Sequence, residues 1–282
     1  LLLNSTGGKQ EVDLEGHGPV RFITLHALPL PRLGPTGQPG HVIIVRDVTR
    51  SVEVEELKRE FLSVVTHELK TPLTAVRGYV KLLLMGKGGA LTEKQKELLG
   101  VTHDQAEVLA TMVQDLLDAT RLEGGQLSLD LTEVSVASAV EEVVSAFAGE
   151  AENLGIELVG APAEGQVWAD PFRLQQVLGN LVRNALKFTK PGGRVSIDTR
   201  HVGDTVEFTV SDTGRGISAA GQEQLFRKFY QVERGDKRRS GGAGLGLYIC
   251  SQLAQQMGGE IHCRSQVGVG SHFTVTLSGT TP

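Results

Sequence analysis

Residues 61–73 read Phe-Leu-Ser-Val-Val-Thr-His-Glu-Leu-Lys-Thr-Pro-Leu and lie within an apolar repeat that has helical spacing. Because apolar side chains recur every three or four positions, the repeat predicts a helix over residues 51–86. Its members are Leu57, Phe61, Val65, Leu69, Pro72, Val76, Val80 and Leu83. Pro72 is expected to kink this helix, since proline lacks an N–H and clashes with the preceding turn. The glycine-rich residues 86–89 should end it.

A second helix is predicted to begin at Thr92 and to end before Gly124. Thr92, followed three residues later by Gln95, has the form of a capping box. The apolar stripe that follows is Leu98, Leu99, Thr102, Ala106, Leu109, Val113, Leu116 and Leu117. Two amphipathic helices joined by a short loop predict an antiparallel hairpin, whose apolar surface is wider than the pair can cover. A second copy of the chain would cover it, giving a homodimer with a four-helix bundle.

His67 lies on the opposite side of the first helix from the apolar repeat. With Phe61 at 0°, residues 65, 69, 72, 76, 80 and 83 of the repeat fall between about 20° and 100°, whereas His67 falls at about 240°. A lone exposed histidine usually has no chemical role. The reason to interpret His67 as a nucleophile is therefore the residues beside it. The carboxylate of Glu68 can accept one ring proton and leave the other nitrogen to attack, and imidazole is largely neutral near pH 7.

Thr71 lies four residues after His67 and therefore on the same helical face. Its hydroxyl could position a water molecule. It also stands where a His-Glu-x-x-His zinc site would need its second histidine, so that kind of site is excluded.

Residues 125–282 alternate between helical and strand patterns, which predicts an α/β sandwich with helices on one face of the sheet. Helices are expected over residues 136–153, 170–189 and 244–257. Strands are expected over residues 156–159, 194–201, 205–211, 260–265 and 271–277.

Residues 1–50 read as short strands at 20–28 and 41–48, separated by a proline- and glycine-rich loop from Pro29 to Gly40. Two or three strands form a marginal unit alone, so we expect the tail of a larger sensory domain. The chain begins with Leu1 rather than Met, and we expect it to be a piece of a longer protein.

Two glycine-rich elements have the chemistry of a nucleotide site. In Asp212-Thr-Gly214-Arg-Gly216-Ile217, the aspartate follows an apolar strand and could accept a hydrogen bond from an adenine amino group. The same pattern is common in ordinary turns, and both interpretations remain open at this point. The stretch Gly242-Ala-Gly244-Leu245-Gly246 opens a helix, where backbone N–H groups can bind phosphates.

A third element is polar rather than glycine-rich. Asn180, Asn184 and Lys187 share one helix face. An amide oxygen such as that of Asn184 suits Mg²⁺, and Lys187 could neutralise phosphate charge. A basic run at residues 234–239 could form a mobile loop over the nucleotide, or could be a solvated charge run. No P-loop is present, and the glycines do not follow the first strand of a βαβ unit.

Charge and cysteine content exclude several other functions. The formal net charge of -5 argues against a general nucleic-acid binder, which needs a surplus of positive charge. Cys250 and Cys263 lack metal-ligand spacing and are expected to be small buried side chains in a reducing, cytoplasmic compartment. No apolar run approaches the ~20 residues that span a bilayer.

Taken in order, these motifs resemble those of the sensor histidine kinases of two-component systems, over about residues 51–280. Residues 61–73 resemble the H box of the phospho-acceptor hairpin. Residues 180–188, 212–217, 225–230 and 240–246 resemble the N, G1, F and G2 boxes of the ATP-binding domain, whose fold is shared with Hsp90, DNA gyrase and MutL. Ala243 departs from the family, which commonly has Thr or Ser there. Residues 1–50 more weakly resemble the end of a PAS domain.

The resemblance implies a multi-domain α+β protein. Residues 1–50 would be the end of a PAS-like domain, 51–124 the helical hairpin of a dimeric four-helix bundle, and 125–282 a Bergerat-type ATP-binding α/β sandwich. The implied activity is autophosphorylation from ATP, followed by transfer to an aspartate of a response regulator.

The resemblance also implies a role for each motif residue. His67 would be phosphorylated, Glu68 would be its base, and Thr71 would serve dephosphorylation of the regulator. Asn184 would bind Mg²⁺ and Asp212 would bind adenine. The remaining nucleotide contacts would come from Asn180, Lys187, Gly214, Gly216, Gly242, Gly244, Leu245 and Gly246.

Two other functions remain to be weighed. An ATP-driven conformational machine of the Hsp90 or gyrase kind would have no reason to place the motif His-Glu-x-x-Thr, from His67 to Thr71, on a solvent-facing side of a helix. A non-catalytic dimerising module, or a protein that acts mainly as a phosphatase, would not need an intact Asn184 and Asp212.

Overall fold

The computed structural model describes residues 9–13, 22–30, 40–124, 127–231 and 243–279. The chain divides into two compact units, Leu1–Val65 and Thr66–Pro282. The division falls inside one long helix. No helix among the described residues combines the length and apolarity that a bilayer span requires.

The first unit contains a three-stranded antiparallel sheet of β1 (Lys9–Asp13), β2 (Phe22–Leu30) and β3 (Gly40–Asp47), in that order. The prediction that the loop begins at Pro29 is wrong, because β2 continues through Pro29, which pairs with His41. Strand β1 pairs with residues 22–26, so on that side no residue that the structure describes pairs with Pro29. A missing N–H is tolerated in such a position. The rest of the predicted loop, residues 31–39, lies outside the described residues.

Helix α1 (Thr49–Leu84) begins two residues earlier than predicted and contains Pro72. The side chain of Asp47 accepts a hydrogen bond from the N–H of Thr49 at 2.9 Å, which satisfies a donor at the helix start. This bond also lowers the pKa of Asp47. Helix α2 (Glu93–Glu123) begins as predicted, with Thr92 and Gln95 forming a capping box.

The side of α1 that packs within the hairpin differs from the predicted repeat. Thr66 and Val80 are buried, at 1% and 8% exposure. The Nε of Arg77 donates to Oε1 of Glu107 on α2 at 2.7 Å. Thr66 and Arg77 lie about 80° and 100° around the helix from the centre of the repeat, whereas Val80 belongs to the repeat and lies at its edge. Two helices cover only the sides that face each other, and the repeat lies mostly beside that contact.

Most of the repeat is therefore exposed in the single chain. Leu69, Val76 and Leu83 are 49%, 46% and 37% exposed. On α2, Leu98, Val101 and Leu109 are at least half exposed, at 57%, 58% and 50%. The prediction that the hairpin cannot cover its own apolar surface is confirmed.

The second unit also contains the predicted α/β sandwich. Its sheet has the order β5 (Glu157–Ala161), β7 (Arg194–Val202), β8 (Thr205–Asp212), β10 (Gly270–Ser278) and β9 (Glu260–Gln266). Strands β5 and β7 are parallel, and the other pairs are antiparallel. The packed helices are α3 (Val136–Leu154), α4 (Pro171–Phe188) and α6 (Gly246–Gln256).

One face of this sheet forms the core. Alternate residues of the central strands are buried, among them Val206, Phe208 and Val210 of β8. They join apolar residues of all three helices in a single cluster, which is typical of helices packed on one face. Three elements of the second unit were not predicted: β4 (Thr132–Ser135), β6 (Gln166–Ala169) and α5 (Ala219–Gln222). Each has four residues, too few to show a period.

The end of α2 packs into the same core. Ala119 and Leu122 are each 5% exposed and belong to the apolar cluster of the α/β part. Asp118 is 3% exposed. It accepts a hydrogen bond from Nε2 of Gln176 on α4 at 2.7 Å. The second hairpin helix thus packs against α6 and is joined by the side chain of Asp118 to α4, the helix that carries Asn180 and Asn184.

Candidate functional site

One cavity brings together most of the residues that the sequence predicts to bind nucleotide. Its volume is about 210 Å³, and it is bordered by α4, the end of β8 and the start of α6. The predicted residues that line it are Asn180, Asn184, Lys187, Asp212, Gly216, Gly244 and Gly246. Gly214 and Leu245 do not line it, and Leu245 is 1% exposed in the core. Gly242 lies outside the described residues, as does the basic run at 234–239.

Asp212 is the last residue of β8 and places a buried carboxylate at one end of the cavity. Its Oδ1 accepts a hydrogen bond from the N–H of Gly214 at 2.8 Å. Burial raises the pKa of Asp212, and hydrogen bonds from Gly214 and Ser271 oppose this effect. The hydroxyl of Ser271 is in turn 3.0 Å from that of Ser265. The carboxylate is thus fixed in direction and suited to accept one further hydrogen bond from a ligand.

Helix α4 presents its polar side to the cavity and its apolar side to the core. The side chain of Asp170 caps the helix by accepting from the N–H of Arg173 at 3.0 Å, and Pro171 occupies its first turn. Asn180 and Asn184 line the cavity one turn apart. Burial lowers the pKa of Lys187, and the charge of Arg215 lowers it further. The cavity wall therefore offers amides and positive charge together.

Gly216 has a structural reason to be glycine. Its φ is +68°, and a Cβ at this position would lie 2.0 Å from the carbonyl oxygen of Gln266. The turn after β8 therefore packs against the end of β9 so closely that any side chain would collide. The Asp-x-Gly-x-Gly pattern could have been an ordinary turn or part of a nucleotide site. Both interpretations apply, since the turn is tight and also holds Asp212 at the cavity.

Gly216→Ala should lower the free energy of unfolding by about 2–4 kcal/mol, from backbone strain together with the steric clash. Gly203→Ala is the matched control, because Gly203 has a φ of +58° but its Cβ would meet no atom of the described residues within 4 Å. Gly203→Ala should lower the free energy of unfolding by only about 1 kcal/mol, from backbone strain alone. Urea unfolding curves of both variants measure the difference, and equal losses would contradict the predicted clash.

Several residues of the cavity wall were not predicted. Ile217, Leu225 and Phe273 contribute apolar surface of the kind that an adenine ring could contact. Thr111 and Asp115 come from α2 in the hairpin. Phe188, Ile217 and Leu225 lie inside the motifs at 180–188, 212–217 and 225–230, although no nucleotide contact was predicted for them. Asp115 could not be found from the sequence, because only the packing of α2 brings it there.

The three predicted phospho-transfer residues lie on α1. Glu68 and Thr71 are exposed. The side chain of His67 lies outside the part of the chain that the structure describes, so its solvent-facing direction stays a prediction. Because Thr71 follows His67 by one helical turn, both belong to one side of α1.

The residues of the cavity fit a magnesium-bound adenine nucleotide. Amide oxygens, positive side chains and a buried carboxylate that accepts hydrogen bonds are all present. No cluster of three or more His, Cys, Asp or Glu side chains suited to a metal ion occurs in the described residues. Mg²⁺ typically binds few protein ligands together with nucleotide phosphates, and the amide oxygen of Asn184 would fit that arrangement.

Two family models match the chain. Residues 57–125 match the His Kinase A (phospho-acceptor) domain. Residues 169–281 match the histidine kinase-, DNA gyrase B- and HSP90-like ATPase.

Full-length relatives support the same family. The chain is 40% identical over 224 residues to the circadian input-output histidine kinase CikA of Synechococcus elongatus, covering 78% of this chain and 30% of CikA. It is 31% identical over 260 residues to the sensor protein SrrB of Staphylococcus aureus, covering 91% of this chain and 44% of SrrB. The chain thus spans less than half the length of these relatives.

Solved structures resemble it as well. Full-length ShkA, crystallised with AMPPNP, matches with a TM-score of 0.64 and 29% identity, over 79% of this chain and 47% of ShkA. The histidine kinase AdeS of Acinetobacter baumannii matches with a TM-score of 0.56 and 26% identity, over 76% of this chain and 98% of AdeS.

Proposed function

Because this chain belongs to the sensor histidine kinases, we propose that it uses ATP to phosphorylate His67 and then passes the phosphoryl group to an aspartate of a response regulator. In this proposal residues 51–124 form the phospho-acceptor hairpin and residues 125–282 form the ATP-binding part. The relatives CikA and SrrB are a histidine kinase and a sensor protein by name, which supports the assignment.

One observation carries the proposal. A single cavity collects Asn180, Asn184, Lys187 and Asp212, and the wall of that cavity includes α2 of the hairpin whose other helix holds His67. A conformational ATPase of the Hsp90 kind would not need such a hairpin. The match of residues 57–125 to a phospho-acceptor domain argues against that alternative.

Each site residue has a separate role in the proposed reaction. Asp212 accepts a hydrogen bond from the adenine amino group, while Asn180 and Lys187 contact the phosphates. Mg²⁺, held at Asn184 when bound, neutralises charge on the phosphates. Glu68 accepts a proton from one nitrogen of His67, and the other nitrogen attacks the γ-phosphorus as the bond to the β-phosphate oxygen breaks. Phosphoryl transfer needs little more than this positioning and charge neutralisation.

The direct experiment is to incubate the purified chain with γ-³²P-ATP and Mg²⁺ and to test the labelled protein for acid lability. A phosphorylated histidine loses its label in acid, whereas a phosphorylated serine or threonine keeps it. Absence of any acid-labile label, in protein that binds nucleotide, would refute the proposed kinase activity.

A dimer would cover the apolar side of the hairpin that the single chain leaves exposed. Val76 on α1 and Val101 on α2 are 46% and 58% exposed. The double substitution Val76→Glu, Val101→Glu should weaken dimerisation by roughly a hundredfold or more, since it buries charge in an apolar contact. Light scattering after gel filtration measures the mass. Ala90→Glu, in the loop between the helices, is the control and should remain dimeric, and a double variant that also remains dimeric would place the dimer contact elsewhere.

Phosphatase activity toward the regulator is proposed for Thr71, whose exposed hydroxyl could hold the attacking water beside a docked regulator. Thr71→Ala should slow release of phosphate from the phosphorylated regulator by about tenfold or more while leaving autophosphorylation intact. The regulator itself can be found by profiling phosphotransfer across candidates.

The matched control for Thr71 is Thr74→Ala. Thr74 is also exposed, but its hydroxyl donates to the carbonyl oxygen of Lys70 at 2.8 Å. Phosphate release that slows equally in both variants would contradict a specific role for Thr71.

A further inference from the structure

The second hairpin helix places a carboxylate in the wall of the nucleotide cavity. Asp115 of α2 lines the cavity beside Asn180, Arg183 and Asn184. None of the nucleotide-binding motifs contains this residue, and it comes from the part of the chain that carries the phospho-acceptor. A negative charge at this place is unexpected in a site for a polyanion.

Asp115 and Asn180 line this cavity and also a neighbouring one, so both lie where the two cavities meet. Burial raises the pKa of Asp115 to about 6, the charge of Asp118 raises it as well, and Arg183 opposes both effects. Burial also raises the pKa of the Cys250 thiol, and the charge of Asp115 adds to that effect. The same thiol is hydrogen-bonded to the side chain of Asn180. The carboxylate therefore lies at the Asn180 end of the cavity.

This end is the one expected to hold phosphates. A Cβ on Gly246 would lie 3.9 Å from Nδ2 of Asn180, so the glycine loop before α6 meets α4 at this amide. Asp212, which is expected to bind adenine, follows β8 and lies against Ser271 instead. The phosphate chain would thus run toward Asp115, and the base would lie at the other end.

Asp115 is held in place because α2 packs on α6 and makes polar contacts with α4. Besides its bond from Gln176, Asp118 lies 3.8 Å from Nη1 of Arg173. At the end of α2, Glu123 forms an ion pair with Lys228, whose ammonium group also lies 4.9 Å from the ring centroid of Tyr248. These contacts fix the helix on both sides of its apolar contact, so Asp115 cannot leave the cavity unless the packing opens.

We infer that Asp115 repels nucleotide phosphates while α2 is packed on α4, so that nucleotide binding and this packing compete. The inference rests on the proposed nucleotide site. A nucleoside triphosphate with one Mg²⁺ keeps a net negative charge, and repulsion in a partly buried site is screened less than in water. By linkage, nucleotide weakens the packing by the same factor that the packing weakens nucleotide affinity.

This competition supplies a reason for the ATP-binding part to move. Transfer to His67 requires the γ-phosphate to reach α1, whereas the hydrogen bond from Gln176 joins α4 to α2. Charge brought in by the nucleotide favours release of α4 from α2, and loss of that charge favours the packed arrangement. Asp115 is then a positioning residue, since it acts on the arrangement of the two parts and not on the reacting atoms.

The test compares binding of adenosine, Mg–ADP and Mg–AMPPNP to the whole chain by calorimetry. Asp115→Asn keeps the shape of the side chain and removes its charge. It should tighten Mg–AMPPNP binding by roughly three- to tenfold, tighten Mg–ADP binding by less, and leave adenosine unchanged. The control Asp104→Asn removes the same charge from an exposed position on the same helix and should change none of the three affinities.

Each other outcome overturns the inference. Equal affinities in wild type and Asp115→Asn would show that the carboxylate does not oppose the phosphates, and weaker Mg–AMPPNP binding would show that it assists them. An equal gain for adenosine would show an effect of cavity shape. Failure of the wild type to bind any nucleotide would instead remove the proposed function, and the inference with it.

A second variant tests the link to helix packing. Gln176→Ala removes a hydrogen bond between α4 and α2 and should also tighten Mg–AMPPNP binding. Once the packing is weakened, Asp115→Asn should increase Mg–AMPPNP affinity by a smaller factor than it does alone. The gain in affinity of the double variant should therefore be smaller than the product of the two single gains. Independent, multiplicative effects would contradict competition between packing and nucleotide.

Discussion

His67→Ala is expected to abolish acid-labile labelling from γ-³²P-ATP, a loss of roughly a thousandfold or more, because it removes the nitrogen that forms the new bond to phosphorus. Binding of Mg–AMPPNP should be unchanged, since the nucleotide cavity is built from residues of α2, α4 and the sheet. Measuring both quantities on the same protein separates loss of the acceptor from loss of the nucleotide site.

His103→Ala is the control for this experiment. His103 is a second histidine of the hairpin, on α2, where its ring lies 4.0 Å from Glu107. It should keep nearly full labelling. Acid-labile label that persists in His67→Ala, or disappears in His103→Ala, would show that the acceptor has been assigned to the wrong residue.

Asp212→Asn is expected to weaken binding of Mg–AMPPNP by roughly 10- to 100-fold, the cost of one charge-assisted hydrogen bond in a buried site. The amide that replaces one carboxylate oxygen would present N–H groups to the adenine amino group, so two donors would face each other. The preference for ATP over GTP should shrink together with the affinity, because selection of the base depends on this contact.

The fold should tolerate Asp212→Asn. An amide oxygen can still accept from the N–H of Gly214, which the Asp212 carboxylate does at 2.8 Å. Asp204→Asn, in the exposed turn between β7 and β8, is the control and should bind nucleotide normally. If Asp212→Asn binds Mg–AMPPNP as tightly as the wild type, the cavity does not hold adenine at this carboxylate.

The sequence alone predicted those features of the structure that depend on residues close together in one helix or turn. The capping box at Thr92 and Gln95 fixed the start of α2, because it depends only on residues of that turn. The order of motifs between residues 61 and 246 indicated the family, and the matched family models confirm it. Asn180, Asn184 and Lys187 could be grouped because a helix places such spacings on one side.

Packing between distant segments decided the rest. The apolar repeat of α1 predicted a helix but not which side of that helix faces α2. The spacing of apolar residues is the same whether they contact α2 of the same chain or a second copy of the chain. Arg77 faces α2 although it is not apolar, and its pairing with Glu107 is visible only once both helices are placed. Gly216 must be glycine because the end of β9 passes over it.

Asp115 shows most clearly the difference between what the sequence determines and what only the tertiary structure determines. The sequence determined that residues 93–123 form a helix and that residues 180–187 carry polar groups for a nucleotide, because backbone periodicity and local chemistry act over a few turns. Only the tertiary structure brought the two together, through Ala119, Leu122 and the bond between Gln176 and Asp118. Contacts between residues about sixty positions apart in the chain leave no periodic trace in sequence, so the charge in the cavity wall could be found only by folding the chain.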